Sequence, residues 1–390
     1  MGILPCEFSF FQNIFHMLIN CTKSIFSVRP QLERSGISKF PLKKIGKCIV
    51  ADPIWEGDYE NHSHRLYVCL VCKKPVITCD SSCKLDYSLN HKDLNYLPST
   101  NLLTLLTDIY RISNAEKSCK CSPQKINCLD EAHWQKKQYG VVQFKYSASD
   151  YSAKKIHPAV NPLELPTFFI ELLTHKGELV LDPFGGSGTT VESSLRLERK
   201  VISIDLSKVY TEYAEKRNGK LENYSQALII CGDSKSIVNL LKDKSIKLIY
   251  TSPPYANLLN KTITHRSRIN RDRDTSRRNY SNSPDDLGNL EINIFLEKLR
   301  EIFETLHAKL VDNGHVVINI CNDIYDKSTN QLIPFPAKIV TFMKDIGYSY
   351  KNKWIWDRSN FFSHAHIFGY PSNVLIYSGS YELILHFEKN

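Results

Sequence analysis

Residues 179–197, LVLDPFGGSGTTVESSLRL, constrain the fold of this chain more than any other stretch. An apolar run ends in Asp182 and Pro183, and three glycines follow within four positions. The pattern then becomes helical, with Val191 and Leu195 on one face. Strand, glycine turn and helix meet in this way where α/β sheets hold nucleotides, because glycine lets the backbone turn sharply and approach a ligand closely. The sequence therefore predicts a ligand site at this turn.

The turn differs from a phosphate-binding loop. Such a loop carries Gly-Lys-Ser/Thr, whereas this chain has Gly188, Thr189 and Thr190. Asp182, at the end of the predicted strand, suits a cationic amine better than a phosphate. We expect Gly186 and Gly188 to provide the close approach to the ligand.

Three more apolar runs follow, and each leads into polar residues. Residues 201–205 end in Asp205, seventeen positions after the last glycine of the turn, about where a ribose-binding carboxylate is expected. Residues 228–233 end in Asp233, and residues 246–255 run into Ser-Pro-Pro-Tyr. Four successive strands would thus bring polar groups to one sheet edge, although an aspartate after a strand can also serve as a helix cap.

Helical and strand periodicities alternate through the rest of the chain. Seven strands with crossover helices predict an α/β fold with a doubly wound, mostly parallel sheet. We expect the last two strands to pair antiparallel, because only a loop lies between them. The further predicted elements are helices at 163–174, 289–310 and 334–346, the last ended by Gly347, and strands at 315–321, 348–356 and 381–387.

The two motifs together resemble a known family. DPFGGSGTT, with Phe184, Gly186 and Gly188 at its core, followed by TSPPY, resembles the amino-group DNA methyltransferases that use S-adenosylmethionine. The serine form of the second motif resembles the cytosine-N4 branch. The resemblance covers roughly residues 143–390 and implies a Rossmann-like methyltransferase domain with a target base flipped out of double-stranded DNA.

The resemblance also implies roles for single residues. Asp182 and the glycine backbone would hold the methionine part of the cofactor, with His157, Pro158 and Ala159 against the same end. The implied cofactor-binding residues are Asp182, Phe184, Gly186, Gly188, Asp205 and Asp233, and the implied catalytic residues are Ser252, Pro253, Pro254 and Tyr255.

The chemistry of Ser-Pro-Pro-Tyr supports these roles. Methylation of an exocyclic amine depends on placing its lone pair in line with the methyl donor. The Ser252 hydroxyl and the Pro253 carbonyl can both accept hydrogen bonds from the amine, and Pro254 fixes the turn. Tyr255 offers a ring on which an extruded base can stack. The plain alternative is a rigid strand-to-loop turn. Methylation at a ring carbon would need a cysteine where Ser252 stands.

Residues 1–140 form a distinct, cysteine-rich region. The chain has twelve cysteines, and a CxxC pair in a reducing compartment favours zinc. The spacing is shorter than in a typical zinc ribbon, so the partner of the first pair is either the second pair or a later group, and buried unligated thiols are the alternative. The predicted ligands are Cys69, Cys72, Cys79 and Cys83, and the later group is Cys119, Cys121 and Cys128.

Length and charge favour two domains and a polyanionic partner. The 390 residues suit a module at 1–140 and a methyltransferase domain at 141–390. The net charge is +9, and a basic insertion at 258–285 is either a solvated loop or a DNA-contacting one. The first twenty residues lack the features of a signal peptide or membrane span. We therefore expect a cytoplasmic protein with no membrane partner.

The sequence thus predicts a site-specific DNA methyltransferase that forms N4-methylcytosine as the modification enzyme of a restriction-modification system, with a cognate endonuclease acting separately. An adenine-N6 DNA or RNA methyltransferase on the same fold is the first alternative. A zinc-containing DNA-binding protein without catalysis is the second.

Overall fold

A computed structural model describes residues 102–122, 124–255, 286–326, 331–361 and 380–390, together with the backbone of five short strands between residues 43 and 79. The predicted basic insertion at 258–285 lies outside the described residues. None of the helices in these ranges is long and apolar enough to cross a membrane.

The chain divides into two compact units. The smaller one contains an antiparallel pair, β1 with β2, and a three-stranded antiparallel sheet in the order β3-β4-β5. Its strands are β1 (Lys43–Ile45), β2 (Cys48–Val50), β3 (Trp55–Tyr59), β4 (His62–Val68) and β5 (Pro75–Cys79), and helix α1 (Leu102–Ser113) follows them in the chain.

The larger unit, which contains Ile112–Asn239 and Asp243–Asn390, is built on an eight-stranded sheet. Its order is β6-β14-β15-β11-β10-β7-β8-β9, and every strand runs parallel to the others except β15. The strands are β6 (Val141–Val142), β7 (Leu179–Asp182), β8 (Lys200–Asp205), β9 (Ala227–Cys231), β10 (Ile246–Thr251), β11 (Leu310–Ile320), β14 (Tyr348–Asp357) and β15 (Tyr381–Lys389).

This sheet confirms the predicted α/β architecture. All seven predicted strands are present, and β14 pairs antiparallel with β15 as expected. The eighth strand, β6, has only two residues and pairs with the outer edge of β14. A small hairpin, β12 (Ile324–Asp326) with β13 (Gln331–Ile333), lies apart from the sheet.

The helices of the larger unit connect these strands. Gly347 ends the last one in a left-handed conformation, as the sequence predicts. They are α2 (Glu131–Lys136), α3 (Ala148–Ala153), α4 (Glu164–Leu173), α5 (Thr189–Arg196), α6 (Lys208–Asn218), α7 (Ser234–Asn239), α8 (Ile292–Lys309) and α9 (Phe335–Ile346).

The strand order places a topological switch point between β7 and β10. From β7 the chain moves outward through β8 to β9, then returns to β10 on the other side of β7 and continues to β11. Right-handed crossovers therefore put α5 and α6 on one face of the sheet and α7 and α8 on the other. In such sheets ligands bind in the crevice at the carboxyl ends of the strands beside the switch point.

A buried ion-pair network joins three helices beneath this crevice. The Arg217 guanidinium of α6 lies 3.0 Å from Asp150 of α3 and 2.8 Å from Glu192 of α5. It also donates a hydrogen bond to the Thr189 hydroxyl at 3.1 Å. Its side chain is 4% exposed, and those of Asp150 and Glu192 are 0% and 7% exposed.

We expect Arg217→Met to lower the free energy of unfolding by about 3–5 kcal/mol, because it leaves the buried Asp150 carboxylate without its cationic partner, whereas Glu192 keeps the exposed Arg196. Urea unfolding followed by circular dichroism measures the change. Arg300→Met is the matched control, since the side chains of Arg300 and Glu304 are 44% and 48% exposed and such pairs contribute little. Equal losses in the two variants would contradict the structural role of the network.

Candidate active site

A cavity of about 630 Å³ opens at the carboxyl ends of β7, β8 and β10. Two segments contribute to its wall: the glycine turn (residues 183–188) and the SPPY segment (residues 252–255). Of the ten predicted cofactor-binding and catalytic residues, eight line the cavity, and Gly188 and Pro253 do not. The lining members are Asp182, Phe184, Gly186, Asp205, Asp233, Ser252, Pro254 and Tyr255.

The glycine turn has a backbone conformation that favours glycine at two positions. Gly188 caps the amino end of α5 with φ +79°, and a Cβ there would come within 2.7 Å of both Ala214 and Asn218 of α6. Gly186 has φ +50°, and a Cβ there would lie 3.0 Å from Nε2 of His157. Gly188 therefore does not form part of the cavity wall. Its lack of a side chain lets α6 pack closely against the start of α5.

Asp182 connects the three elements that meet at the switch point. Its carboxylate accepts hydrogen bonds from the Thr190 hydroxyl of α5 at 2.6 Å, the Thr251 hydroxyl of β10 at 2.8 Å and the Phe184 amide at 3.1 Å. Burial raises the pKa of Asp182 to about 6, against these three hydrogen bonds, which lower it. The carboxylate is thus both a structural tie and a negative group at the cavity wall.

Asp205 holds the glycine turn against the end of β8. Its carboxylate accepts from the Gly186 amide and from the Ser207 amide, each at 2.8 Å. Burial raises the pKa of Asp205 to about 7, opposed by the same two hydrogen bonds, and the nearby charge of Asp182 raises it further.

Asp233 serves as a helix cap as well as lining the cavity. It accepts from the amide and the hydroxyl of Ser236 in the first turn of α7, at 2.9 and 2.8 Å. The capping interpretation of this aspartate is therefore correct. It does not exclude ligand binding, because carboxylate oxygens can accept more than one hydrogen bond.

His157 packs against the glycine turn. Its ring is buried and lines the cavity, and its centroid lies 4.4 Å from that of Tyr210. Nδ1 accepts from the Ala159 amide at 3.2 Å. Burial lowers the pKa of His157 to about 4, so the ring is neutral near pH 7.

The SPPY segment belongs to a directed hydrogen-bond chain. The Tyr255 hydroxyl donates to Oε2 of Glu382 at 3.2 Å and lies 3.4 Å from the Ser252 hydroxyl. Glu382 also accepts from Asn319 at 2.8 Å and forms an ion pair with Arg358. With its proton directed to Glu382, the Tyr255 hydroxyl can accept from Ser252, an orientation that would leave the Ser252 lone pairs available to a donor in the cavity.

Glu382 is a site residue that the sequence analysis missed. It is 8% exposed and lines the cavity together with Arg358, Trp356 and Tyr146. Burial raises its pKa, and Arg358 opposes the shift. A signal for it existed, because β15 was predicted to run antiparallel. The amino end of an antiparallel strand lies at the same edge as the carboxyl ends of its neighbours, and Glu382 is the acidic residue at that end.

The cavity therefore combines two kinds of chemistry. Three carboxylates along β7, β8 and β9 can accept hydrogen bonds from amines and hydroxyls, and the SPPY wall offers hydroxyl acceptors beside aromatic rings. The four predicted zinc ligands, Cys69, Cys72, Cys79 and Cys83, lie outside the residues whose side chains the structure describes, so that prediction remains open.

Comparison with known proteins shows the family of this chain. The family model for DNA methylases of the N6/N4 class matches residues 33–216 and 246–390, which is most of the chain. The chain is 48% identical over 56 residues to the type II methyltransferase M.PvuII of Proteus hauseri, covering 14% of this chain and 17% of that one. It is 34% identical over 76 residues to the putative methylase YubD of Escherichia coli (strain K12), covering 20% and 34%.

These matches to relatives are short, spanning 17% of M.PvuII and 34% of YubD. Among solved structures, TrmN from Thermus thermophilus has a TM-score of 0.38 and 14% sequence identity, over 62% of this chain and 53% of that chain. That likeness is too weak to carry a conclusion about this protein.

We expect Gly188→Ala to lower the free energy of unfolding by about 2–4 kcal/mol. An alanine is strained at this left-handed φ, and its Cβ would also overlap with α6. Thermal and urea unfolding measure the change. Gly140→Ala is the control, since a Cβ at Gly140 meets no atom within 4 Å, and it should leave stability unchanged or slightly higher. A Gly188→Ala protein as stable as the wild type would show that α5 and α6 can separate at no cost.

Proposed function

The chain belongs to the DNA methylase family of N6/N4 methyltransferases, and from this membership we propose that it transfers a methyl group from S-adenosylmethionine to an exocyclic amine of a base in DNA. One observation carries the proposal: the glycine turn and the SPPY segment line the same cavity. A methyl donor held at the first can therefore meet an amine held at the second.

The carboxylates fit the groups of S-adenosylmethionine, which when bound would supply a methyl group on a positively charged sulfur. We propose that Asp182 and the backbone of the glycine turn hold the methionine part, with Phe184 shaping the pocket. Asp205 would accept hydrogen bonds from the ribose hydroxyls, and Asp233 one from the adenine amino group. The negative charges of the cavity wall match a cationic ligand.

The SPPY wall would hold the target base. Ser252 lines the cavity and would accept one hydrogen of the amine. Pro253 does not line it, so its carbonyl would accept the second hydrogen, and aim the lone pair at the donor, after a shift of the SPPY backbone on binding. The Ser252–Tyr255–Glu382 chain favours this arrangement, because it directs the serine proton away from the base. Pro254 would fix the backbone, and the Tyr255 ring would stack on a base flipped from the duplex. The transfer would be direct, without a covalent enzyme intermediate.

We propose cytosine N4 as the target, on the basis of Ser252 in the SPPY form of the motif. The test incubates purified protein and genomic DNA with methyl-labelled S-adenosylmethionine, digests the DNA to nucleosides and identifies the labelled product by mass. N4-methylcytosine supports the proposal. N6-methyladenine in the DNA would support adenine as the acceptor on the same fold, and label found only in a parallel incubation with total RNA would support an RNA acceptor. Absence of binding to S-adenosylmethionine in calorimetry would instead support a non-catalytic DNA-binding protein.

The wider role proposed here is modification in a restriction-modification system, with a separate cognate endonuclease. Similarity to M.PvuII, a type II methyltransferase, supports it. We further propose that the 1–140 module and the basic insertion at 258–285 contact the DNA next to the 141–390 domain. Sequencing DNA from an expressing host for methylated motifs tests site specificity, and methylation scattered without a motif would oppose this role.

Tyr255→Ala should lower kcat/KM for DNA methylation roughly 100-fold, near the upper end of the ~1–3 kcal/mol that base stacking on an aromatic side chain contributes. Affinity for S-adenosylmethionine should stay unchanged. Tyr255→Phe keeps the ring but breaks the hydrogen bond to Glu382, so it should retain more activity than Tyr255→Ala and less than the wild type. Full activity of the alanine variant would exclude the stacking role.

Binding of S-adenosylmethionine should tighten as the pH rises from 5.5 to 7.5. The pKa of Asp205 is about 7 in the free protein because of burial, and only the ionised carboxylate accepts from both ribose hydroxyls. Below that pH, affinity should fall by up to about tenfold per pH unit for each proton displaced. Calorimetry in buffers of different ionisation enthalpy measures the affinity and the protons released. Asp205→Asn should bind more weakly and lose most of the pH dependence; an equally steep profile in that variant would assign it to another group.

A further inference from the structure

Three cysteines and one histidine converge at a place far along the chain from the predicted zinc ligands. Cys119, Cys121 and Cys128 lie in the segment 114–130 between α1 and α2, and His175 follows the end of α4. One ligand atom from each of the four lies within 4.8 Å of all the others. All four belong to the larger compact unit.

The distances suit a tetrahedral metal ion. Nδ1 of His175 lies 3.3 Å from the Cys119 sulfur and 3.4 Å from the Cys128 sulfur. With zinc–sulfur bonds of about 2.3 Å and zinc–nitrogen bonds of about 2.0–2.1 Å, tetrahedral geometry places nitrogen and sulfur about 3.5 Å apart. Three sulfurs and one imidazole nitrogen are also a ligand set that structural zinc sites use.

The orientation of His175 favours a metal ligand over a simple thiol acceptor. Its Nε2 lies 2.8 Å from the Lys125 carbonyl, so Nε2 carries the proton and the Nδ1 lone pair points to the sulfurs. The residue is 4% exposed. One lone pair can accept one S–H at most, so hydrogen bonding to His175 alone cannot account for three clustered thiols.

The segment is held in place by hydrogen bonds other than those of the cluster. The Ser118 amide donates to the Lys176 carbonyl at 2.8 Å, and the Asn127 side chain donates to the Leu172 carbonyl at 2.7 Å. A Cβ at Gly177 would come within 2.3 Å of the Glu116 carbonyl, so the backbones approach closely. The described residues between α1 and α2 form no helix or strand, and the segment therefore needs cross-links to hold this shape.

We propose that Cys119, Cys121, Cys128 and His175 form a structural zinc site. The four protein ligands leave no open position for substrate, which separates this site from catalytic zinc centres. Three thiolates with one Zn²⁺ carry one net negative charge, and the Lys117 ammonium, which donates to the Cys121 carbonyl at 2.9 Å, lies beside it. The ion would fasten segment 114–130 to the turn that leads into β7, the strand that ends in Asp182.

The site uses the later cysteine group, which the sequence offered only as a partner for Cys69 and Cys72, and completes it with His175. It does not depend on Cys69, Cys72, Cys79 or Cys83, and it includes His175, which lies 47 positions after Cys128. It is also independent of the methyltransferase proposal, because none of its ligands lines the cavity.

The test measures the metal content of the purified full-length protein by elemental mass spectrometry. Compared with the wild type, the Cys119→Ser/Cys128→Ser protein should lose one zinc per chain, whatever the N-terminal cysteines bind. Cys231→Ser, which removes a free cysteine at the end of β9, should keep the wild-type content. Wild-type protein loaded with Co²⁺ should show the intense visible absorption of a tetrahedral thiolate site, and the double variant should lose that part of the spectrum.

A second measurement keeps the test valid if the double variant does not fold. A chelator added to wild-type protein should release the zinc and increase proteolysis within segment 114–130, and restoring Zn²⁺ should reverse this. The proposal is overturned if wild-type protein binds neither zinc nor Co²⁺, if the folded double variant keeps the full wild-type content, or if two of the three cysteines form a disulfide in the purified protein.

Discussion

The Asp182 carboxylate is the tie on which the geometry of the site depends. It ends β7 and accepts hydrogen bonds from Thr251 at the end of β10 and from Thr190 in the first turn of α5. The two strands are adjacent and parallel, with Leu181 opposite Ile249. Because the glycine turn follows Asp182 and the SPPY segment follows Thr251, this one buried group fixes the separation of the two segments. Its raised pKa reflects the burial that this position requires.

The cavity wall that contains Glu382 depends on β15, the one antiparallel strand of the eight-stranded sheet. Since β15 runs against its neighbours, its first residues lie at the carboxyl edge of the sheet, and Glu382 enters the site there. Its partners come from three directions: Tyr255 after β10, Asn319 on β11 and Arg358 after β14. The antiparallel direction of β15 thus supplies Glu382, the final acceptor in the hydrogen-bond chain from Ser252 through Tyr255.

Support for the site extends into the layer of helices beneath it. Arg217 draws α3, α5 and α6 together through two buried carboxylates, and Gly188 allows α5 and α6 to pack without a side chain between them. The Cys119–His175 cluster lies at the other end of β7, before the strand begins. The strand that carries Asp182 is therefore held at its end by hydrogen bonds and, on our proposal, at its start by a metal ion. A rigid strand keeps a binding group within the narrow tolerance that the proposed methyl transfer requires.

The sequence by itself determined seven of the eight strands of the large sheet and eight of the residues that line the cavity. Hydrophobic periodicity located all seven predicted strands, because burial on both faces leaves long apolar runs. Polar residues at the ends of those runs located Asp182, Asp205 and Ser252, since parallel strands end at one edge.

Tertiary structure alone decided three matters. It put Gly188 behind the wall rather than in it, it brought Glu382 to Tyr255 across 127 positions of chain, and it joined His175 to three distant cysteines. These contacts depend on how elements pack across the fold. The predicted direction of β15 indicates the sheet edge at which Glu382 lies, but it does not pair Glu382 with Tyr255. The sequence did not predict strands β1–β5. They have only three to seven residues, and such short segments show too few alternations for a strand period to be recognised.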